Sequence, residues 1–187
     1  MWIREREELS IKRQVGVTLI ELLVTVVVLG ILATVAVPSF SNFLDKQRIL
    51  GAAQSVTNFI KLARTESLKT SSSSIFVVDN TSSGWCVGIT TASGAASCDC
   101  FALSSCTVNG QLQAVTNENF PNVVMDTPVV GSTTTAAFES VRGTISSPTP
   151  VVEFSNTTGG DLTITSTLLG STSTCNNGSS YGGYPEC

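Results

Sequence analysis

Residues 16–24 read Gly16-Val17-Thr18-Leu19-Ile20-Glu21-Leu22-Leu23-Val24. They open an apolar run that reaches Val37 and contains one charged residue, Glu21. A bilayer core of about 30 Å takes roughly 20 helical residues, so 17–37 is long enough to span it. Arg4, Arg6, Lys12 and Arg13 precede the run, which leaves that end cytoplasmic and puts the rest of the chain on the outer side. In an ordinary secretory signal the small residues of the cleavage site follow a short apolar stretch. Here Gly16 comes before the run, so a cut at Gly16 keeps the hydrophobic segment in the mature chain. The other reading of these residues is a simple uncleaved anchor.

The order of residues resembles the type III signal of type IV pilins and pseudopilins: a Gly at the cut, an apolar first mature residue, then Thr18-Leu19-Ile20-Glu21-Leu22. The resemblance implies that a prepilin peptidase cuts after Gly16 and methylates the new amine of Val17. Where the family usually has Phe, this chain has Val17. Pro38 matches the position where many pilins kink the helix. Glu21 is a carboxylate within an apolar helix, about 6 Å from Val17 along the axis. A charge at the centre of a spanning helix costs about 2.5–3.5 kcal/mol, and so near the end it can instead snorkel to the interface. The resemblance gives Glu21 an assembly role, pairing with the protonated α-amine of a neighbouring subunit. One buried polar group that fixes register is a well-attested device.

Beyond Pro38 the pattern changes. Ile49, Ala52, Ala53, Val56, Ile60 and Ala63 recur at three- and four-residue steps, an apolar stripe that predicts helix and packing on a globular domain. Lys46, Arg48, Lys61, Arg64 and Lys69 stand against Asp45 and Glu66 on the remaining face, which reads as solvated helix rather than a nucleic-acid patch. One helix of about 50 residues therefore starts in the membrane, kinks at Pro38 and ends near Thr70, before the 71–74 serine run. The expected organisation is a leader over 1–16, a transmembrane or filament-core helix over 17–38, its amphipathic continuation over 39–70, and an outer domain over 71–187.

That outer domain is rich in Ser and Thr. β-prone runs at 74–78, 85–90, 111–115, 122–126, 134–139, 151–155 and 161–165 alternate with turn-forming stretches. The fold class is α+β, with one or two antiparallel sheets against the amphipathic helix. The Lys61-Leu62-Ala63-Arg64-Thr65-Glu66-Ser67-Leu68-Lys69 helix end, Gly84-Trp85-Cys86-Val87-Gly88 and the Cys-containing tail resemble the GspH/FimT class of minor pilins and pseudopilins. The six cysteines all follow residue 85, and such an even set suits disulfides in an oxidising compartment. Cys175 with Cys187 closes the tail if the two groups stay apart. Cys86, Cys98, Cys100 and Cys106 allow three pairings. A hairpin over 84–101 would give Cys86–Cys98 and Cys100–Cys106.

The chain contains no histidine, which excludes Ser-His-Asp and Cys-His triads and His-ligated metals. Cys98-Asp99-Cys100 lacks the spacer of a zinc site. There is no Gly-rich phosphate loop and no tight carboxylate pair, so no enzyme, cofactor or metal is expected. Some relatives bind DNA in natural transformation through an Arg-rich C-terminal region. This chain has one basic residue after Lys69, Arg142, against eight acids, and Tyr181 and Tyr184 without a positive groove argue against nucleic acid. The resemblance implies a minor pilin that helps to prime assembly and sits near the pilus tip. The runner-up is a type II secretion pseudopilin. Expected partners are major and minor pilins through the N-terminal helix, prepilin peptidase and the inner-membrane assembly platform. The expected location is the bacterial inner membrane, single-pass with a periplasmic domain, then an extracellular pilus or periplasmic pseudopilus.

Overall fold

The computed structural model describes residues 16–91, 97–102, 104–146, 149–156, 160–178 and 183–187. Residues 1–15 of the leader and Tyr181 lie outside the described residues, as does the side chain of Pro38. Two compact units partition the chain, Met1–Phe40 and Ser41–Cys187. A single long helix, α1, is assigned over Leu19–Thr70, close to the span the sequence predicts.

In the second unit the stripe on α1 is buried as its spacing requires. Ile49, Ala52, Val56, Ile60 and Ala63 have no exposed surface. They form one core with residues of two antiparallel sheets. The first sheet has the order β5-β2-β1-β7 and the second β10-β9-β8-β6. Their strands are β1 Ser74–Thr81, β2 Gly84–Thr90, β5 Ala114–Thr116, β6 Val123–Thr127, β7 Ser132–Phe138, β8 Val151–Asn156, β9 Leu162–Ser166 and β10 Thr172–Asn176. A small ribbon pairs β3 Thr107–Val108 with β4 Gln111–Leu112. Its two-residue turn holds Asn109 and Gly110 at φ 51° and 77°, left-handed values that Asn and Gly accept readily and that suit a tight hairpin. The architecture is α+β, a helix on antiparallel sheets.

The second sheet shows the alternation of a half-buried strand. Val123 and Met125 of β6, Val152 and Phe154 of β8, and Leu162 and Ile164 of β9 point inward, while Val124 and Asp126 face solvent. The first sheet is covered on both faces, so Ile75, Phe76, Val77 and Val78 are buried in succession. Phe76, Val78, Trp85, Val87 and Ile89 join the helix side. Ile75, Val77 and Cys86 join Cys98, Cys100 and Cys106 on the other. Two buried polar groups tie the sheets together. Trp85 Nε1 donates to the Val123 carbonyl at 2.9 Å, and Asn80 Nδ2 donates to the carbonyls of Met125 and Pro128 at 2.9 and 2.6 Å. The Ser74 hydroxyl donates to the Ala63 carbonyl and fixes β1 to α1.

Three sequence expectations are corrected. First, the bridges are Cys86–Cys100 and Cys98–Cys106, in place of Cys86–Cys98 and Cys100–Cys106. No 84–101 hairpin places Cys98 opposite Cys86, because the two neighbours of β2 are β1, with Asp79 opposite Cys86, and β5, with Thr116 opposite it. The segment carrying Cys98, Cys100 and Cys106 instead packs on the face of the sheet. A Cβ at Gly88 would lie 2.7 Å from Cys106 Sγ and 3.1 Å from Cys100 Cβ, so this close approach requires glycine. Second, the 111–115 run is broken. Gln113 donates its N–H to the Cys106 carbonyl and accepts from Ile89 N–H on the other side, so the chain changes partner there and β4 gives way to β5. Third, β10 carries Cys175 in a strand paired with β9, where the sequence offers no apolar alternation. Cys175 bonds Cys187 as expected.

The cystine layer leads to a stability prediction. A disulfide closing a loop of about 15 residues stabilises by roughly 3 kcal/mol through the unfolded chain, and Cys86 and Cys100 span 14. Cys86→Ser with Cys100→Ser is expected to lower unfolding free energy by about 2–5 kcal/mol, since it also places two hydroxyls in an apolar cluster. Urea unfolding of the full chain in detergent reads this. A loss under about 0.5 kcal/mol would show that the layer contributes nothing.

Candidate functional site

In the first unit Gly16, Val17 and Thr18 precede the helix and are exposed. Nothing lies within 4 Å of where a Gly16 Cβ would stand. Among the described residues, nothing packs against Gly16, and Val17 is 70% exposed. α1 begins one residue after Thr18, which makes Thr18 the N-cap and Glu21 the third helical residue. Glu21 N–H donates to Thr18 Oγ1 at 3.3 Å, and Leu22 N–H donates to the Thr18 carbonyl at 3.2 Å. Thr18-Leu19-Ile20-Glu21 has the spacing of a capping box, and a carboxylate in the first turn complements the helix dipole. This local role of Thr18 is signalled in the sequence by the T-x-x-E spacing of Thr18 and Glu21.

The apolar surface of this unit is uncovered. Leu19 is 83% exposed and Leu32 61%, and the large side chains between them keep about half or more of their surface. Among the described residues no single helix is long and apolar enough to cross a membrane, while Leu19–Thr34 and Ser39–Thr70 meet that test together, by length and composition. The backbone is assigned as helix through Pro38.

The polar side chains of this stretch differ in one respect. Thr25 Oγ1 donates to the Leu22 carbonyl at 2.8 Å and Thr34 Oγ1 to the Ile31 carbonyl at 2.7 Å, so both hydroxyls are satisfied by their own helix, as an apolar setting demands. Thr18 accepts from Glu21 N–H. The carboxylate of Glu21 has no hydrogen bond or ion pair among the described residues. It is the one polar side chain of 17–34 whose partner must come from elsewhere once the helix leaves water.

Residues 11–37 match the family model of the prokaryotic N-terminal methylation motif. The match covers Lys12 and Arg13 of the basic segment, Gly16, Val17, Glu21 and the apolar run to Val37, and leaves the β unit outside it. No curated protein and no solved structure matches the chain. The motif supports a type IV pilin-like or pseudopilin subunit: a structural protein anchored through its N-terminal helix, processed by a prepilin peptidase and assembled from the membrane.

In the second unit the six cysteines are all bridged and no free thiol is present. Among the described residues no group of three His, Cys, Asp or Glu side chains is placed to hold a metal. Asp126, Glu153 and Asp161 come together on one sheet face. Burial raises the Asp161 pKa above the usual aspartate value, and repulsion from Asp126 and then Glu153 adds to the rise.

Proposed function

We propose that the chain is a minor type IV pilin of the GspH/FimT kind, cut after Gly16, methylated on Val17 and built into a filament through its apolar helix. Its outer unit stays in the periplasm until the helix is drawn from the lipid, and it then helps to prime assembly and stands near the tip. The Glu21 carboxylate takes the Val17 amine of a neighbouring subunit, and Pro38 supplies the kink between the two helical stretches. The observation that carries this reading is the coincidence of the methylation motif with an uncovered apolar helix whose carboxylate lacks a partner. The heavily bridged outer unit, with a cystine layer over one sheet, suits a specialised subunit displayed outside the cell, where disulfides persist.

Mass spectrometry of the mature protein tests the processing. The expected chain starts at Val17, carries one methyl group on its amine, and has three disulfides. A chain that still begins at Met1 and never fractionates with filaments would end the proposal. Deletion of the gene then separates the two kinds of filament: loss of surface pili places the subunit in a pilus, and loss of secreted enzymes with pili intact places it in a type II secretion pseudopilus.

A further inference from the structure

The outer unit carries two surfaces of opposite charge, one around the β9–β10 turn and the other on the solvent face of the sheet that contains those strands. The first surrounds the β9–β10 turn. Lys61 and Arg64 lie on one face of α1 beside Leu68, Ser171 and Thr172, around an open hollow of about 620 Å³. Gly143 and Gly170, at φ 62° and 73°, lie under Arg64: a Cβ on either would come within 3.0–3.1 Å of the Arg64 stem. Ile145 N–H donates to the Leu168 carbonyl at 2.8 Å, so the turn holding Val141 and Arg142 is joined to the turn holding Leu168 and Leu169. Val141, Leu168 and Leu169 are 83%, 57% and 70% exposed. Lys61, Arg64 and Arg142 form no ion pair among the described residues.

The second surface is the solvent face of the β10-β9-β8-β6 sheet. It bears Asp126 on β6, Glu153 on β8 and Asp161 just before β9, with Val124 and Val151 part-exposed beside them. Glu153 accepts from Asn177 Nδ2 at 2.9 Å and from Thr127 Oγ1 at 3.3 Å. Asp126 and Glu153 form no ion pair among the described residues, and both repel Asp161. Glu153, the acid nearest the turn in register, pairs with Thr163, four residues before Thr167, roughly 13 Å along the strand. That exceeds both salt-bridge reach and a physiological Debye length, and neither Asp126 nor Glu153 pairs with Lys61, Arg64 or Arg142 within one molecule.

We propose that the Lys61–Arg64–Arg142 surface of one copy docks on the Asp126–Glu153–Asp161 sheet face of a second copy, with Leu168 and Leu169 against Val124 and Val151. The contact is heterologous, head to tail, and leaves an unused surface of each kind at the two ends. Charge complementarity sets its register and partner, and the exposed aliphatic residues add burial. Confinement of two copies in one membrane raises their effective concentration, so a contact weak in solution suffices. Neither surface includes the helix over 17–37, so the inference goes beyond the filament reading and stands or falls separately.

The test uses the full chain in detergent, with isotope-labelled and unlabelled copies mixed. A carbodiimide activates a carboxylate, which then condenses with a lysine amine to give an amide. The expected product is a labelled–unlabelled dimer in which Lys61 is joined to Asp126, Glu153 or Asp161, with a yield that falls severalfold in about 0.5 M salt. Lys61→Glu with Arg142→Glu, and separately Asp126→Lys with Glu153→Lys, are each expected to weaken dimerisation by about tenfold or more in sedimentation, because like charges then face each other. Mixing the two variants is expected to restore it. The proposal is overturned by the absence of a Lys61 cross-link between copies, by dimers joined through Lys46 or Lys69 instead, or by dimers that survive both charge reversals, which would place the contact in the helix. The cross-link in the unaltered chain decides the matter even where a variant folds poorly.

Discussion

Phe154→Ala is expected to destabilise the outer unit by about 3–5 kcal/mol, the range for removing a buried aromatic ring. Phe154 is fully buried in β8, opposite Met125 of β6 and Leu162 of β9. Its ring lies 4.9 Å from that of Trp85, tilted by 53°. Trp85 belongs to the other sheet, and its indole N–H reaches back to Val123 beside Phe154's own neighbours. Removing the ring therefore opens a void at the place where the two sheets meet, and neither sheet can collapse into it without breaking that hydrogen bond. Urea unfolding of the full chain in detergent, followed by tryptophan fluorescence, measures the loss. Trp85 and Trp2 are the two tryptophans, so after a cut at Gly16 the signal comes from Trp85 alone. Val124→Ala, on the outer face of the same sheet, is expected to change stability by less than about 0.5 kcal/mol. Equal losses for the two variants would show that this sheet does not bury one face against the other.

Why the core was legible follows from periodicity. The stripe from Ile49 to Ala63 repeats at helical steps, and all six of its residues are at most 1% exposed. The strands were legible where β-branched and aromatic residues cluster. They were illegible where the reason for a strand lies in its neighbour. β10, Thr172-Ser173-Thr174-Cys175-Asn176, has no apolar face of its own and forms because β9 offers it a ladder. The break at Gln113 depends on Ile89 of β2, which donates to the Gln113 carbonyl from a different part of the chain, while the Gln113 N–H stays with Cys106 in the β3–β4 hairpin. The same holds for the cystines. Spacing limited the first four to three pairings, but the choice rests on β1 and β5 flanking β2, which no local signal reports. One usable signal was overlooked: four consecutive apolar residues, Ile75 to Val78, imply a strand covered on both faces, and hence a second layer opposite the helix.

Glu21 poses a sharper problem, because two physical roles meet on one side chain. The first is local: Glu21 sits in the first turn of α1, over the Thr18 cap, where a carboxylate favours the helix by about 0.3–1 kcal/mol. The second is the assembly role proposed above, in which a carboxylate in an apolar stretch, with no partner among the described residues, would receive the Val17 amine of the next subunit. Glutamine separates them, since Glu and Gln both serve the capping box and only Glu carries charge. Glu21→Ala is expected to insert and to be cut normally, because neither step needs the carboxylate, and to appear in filaments at least about tenfold less than the unaltered chain. Glu21→Gln is expected to fail as badly, since the amide cannot compensate an ammonium group in a medium of low dielectric, where one lost partner leaves the other charge buried and unpaired. Quantitative blotting of sheared filaments against membrane fractions measures both variants. Normal incorporation of Glu21→Gln, with Glu21→Ala defective, would reduce the residue to a helix cap and remove ion pairing from the assembly reading.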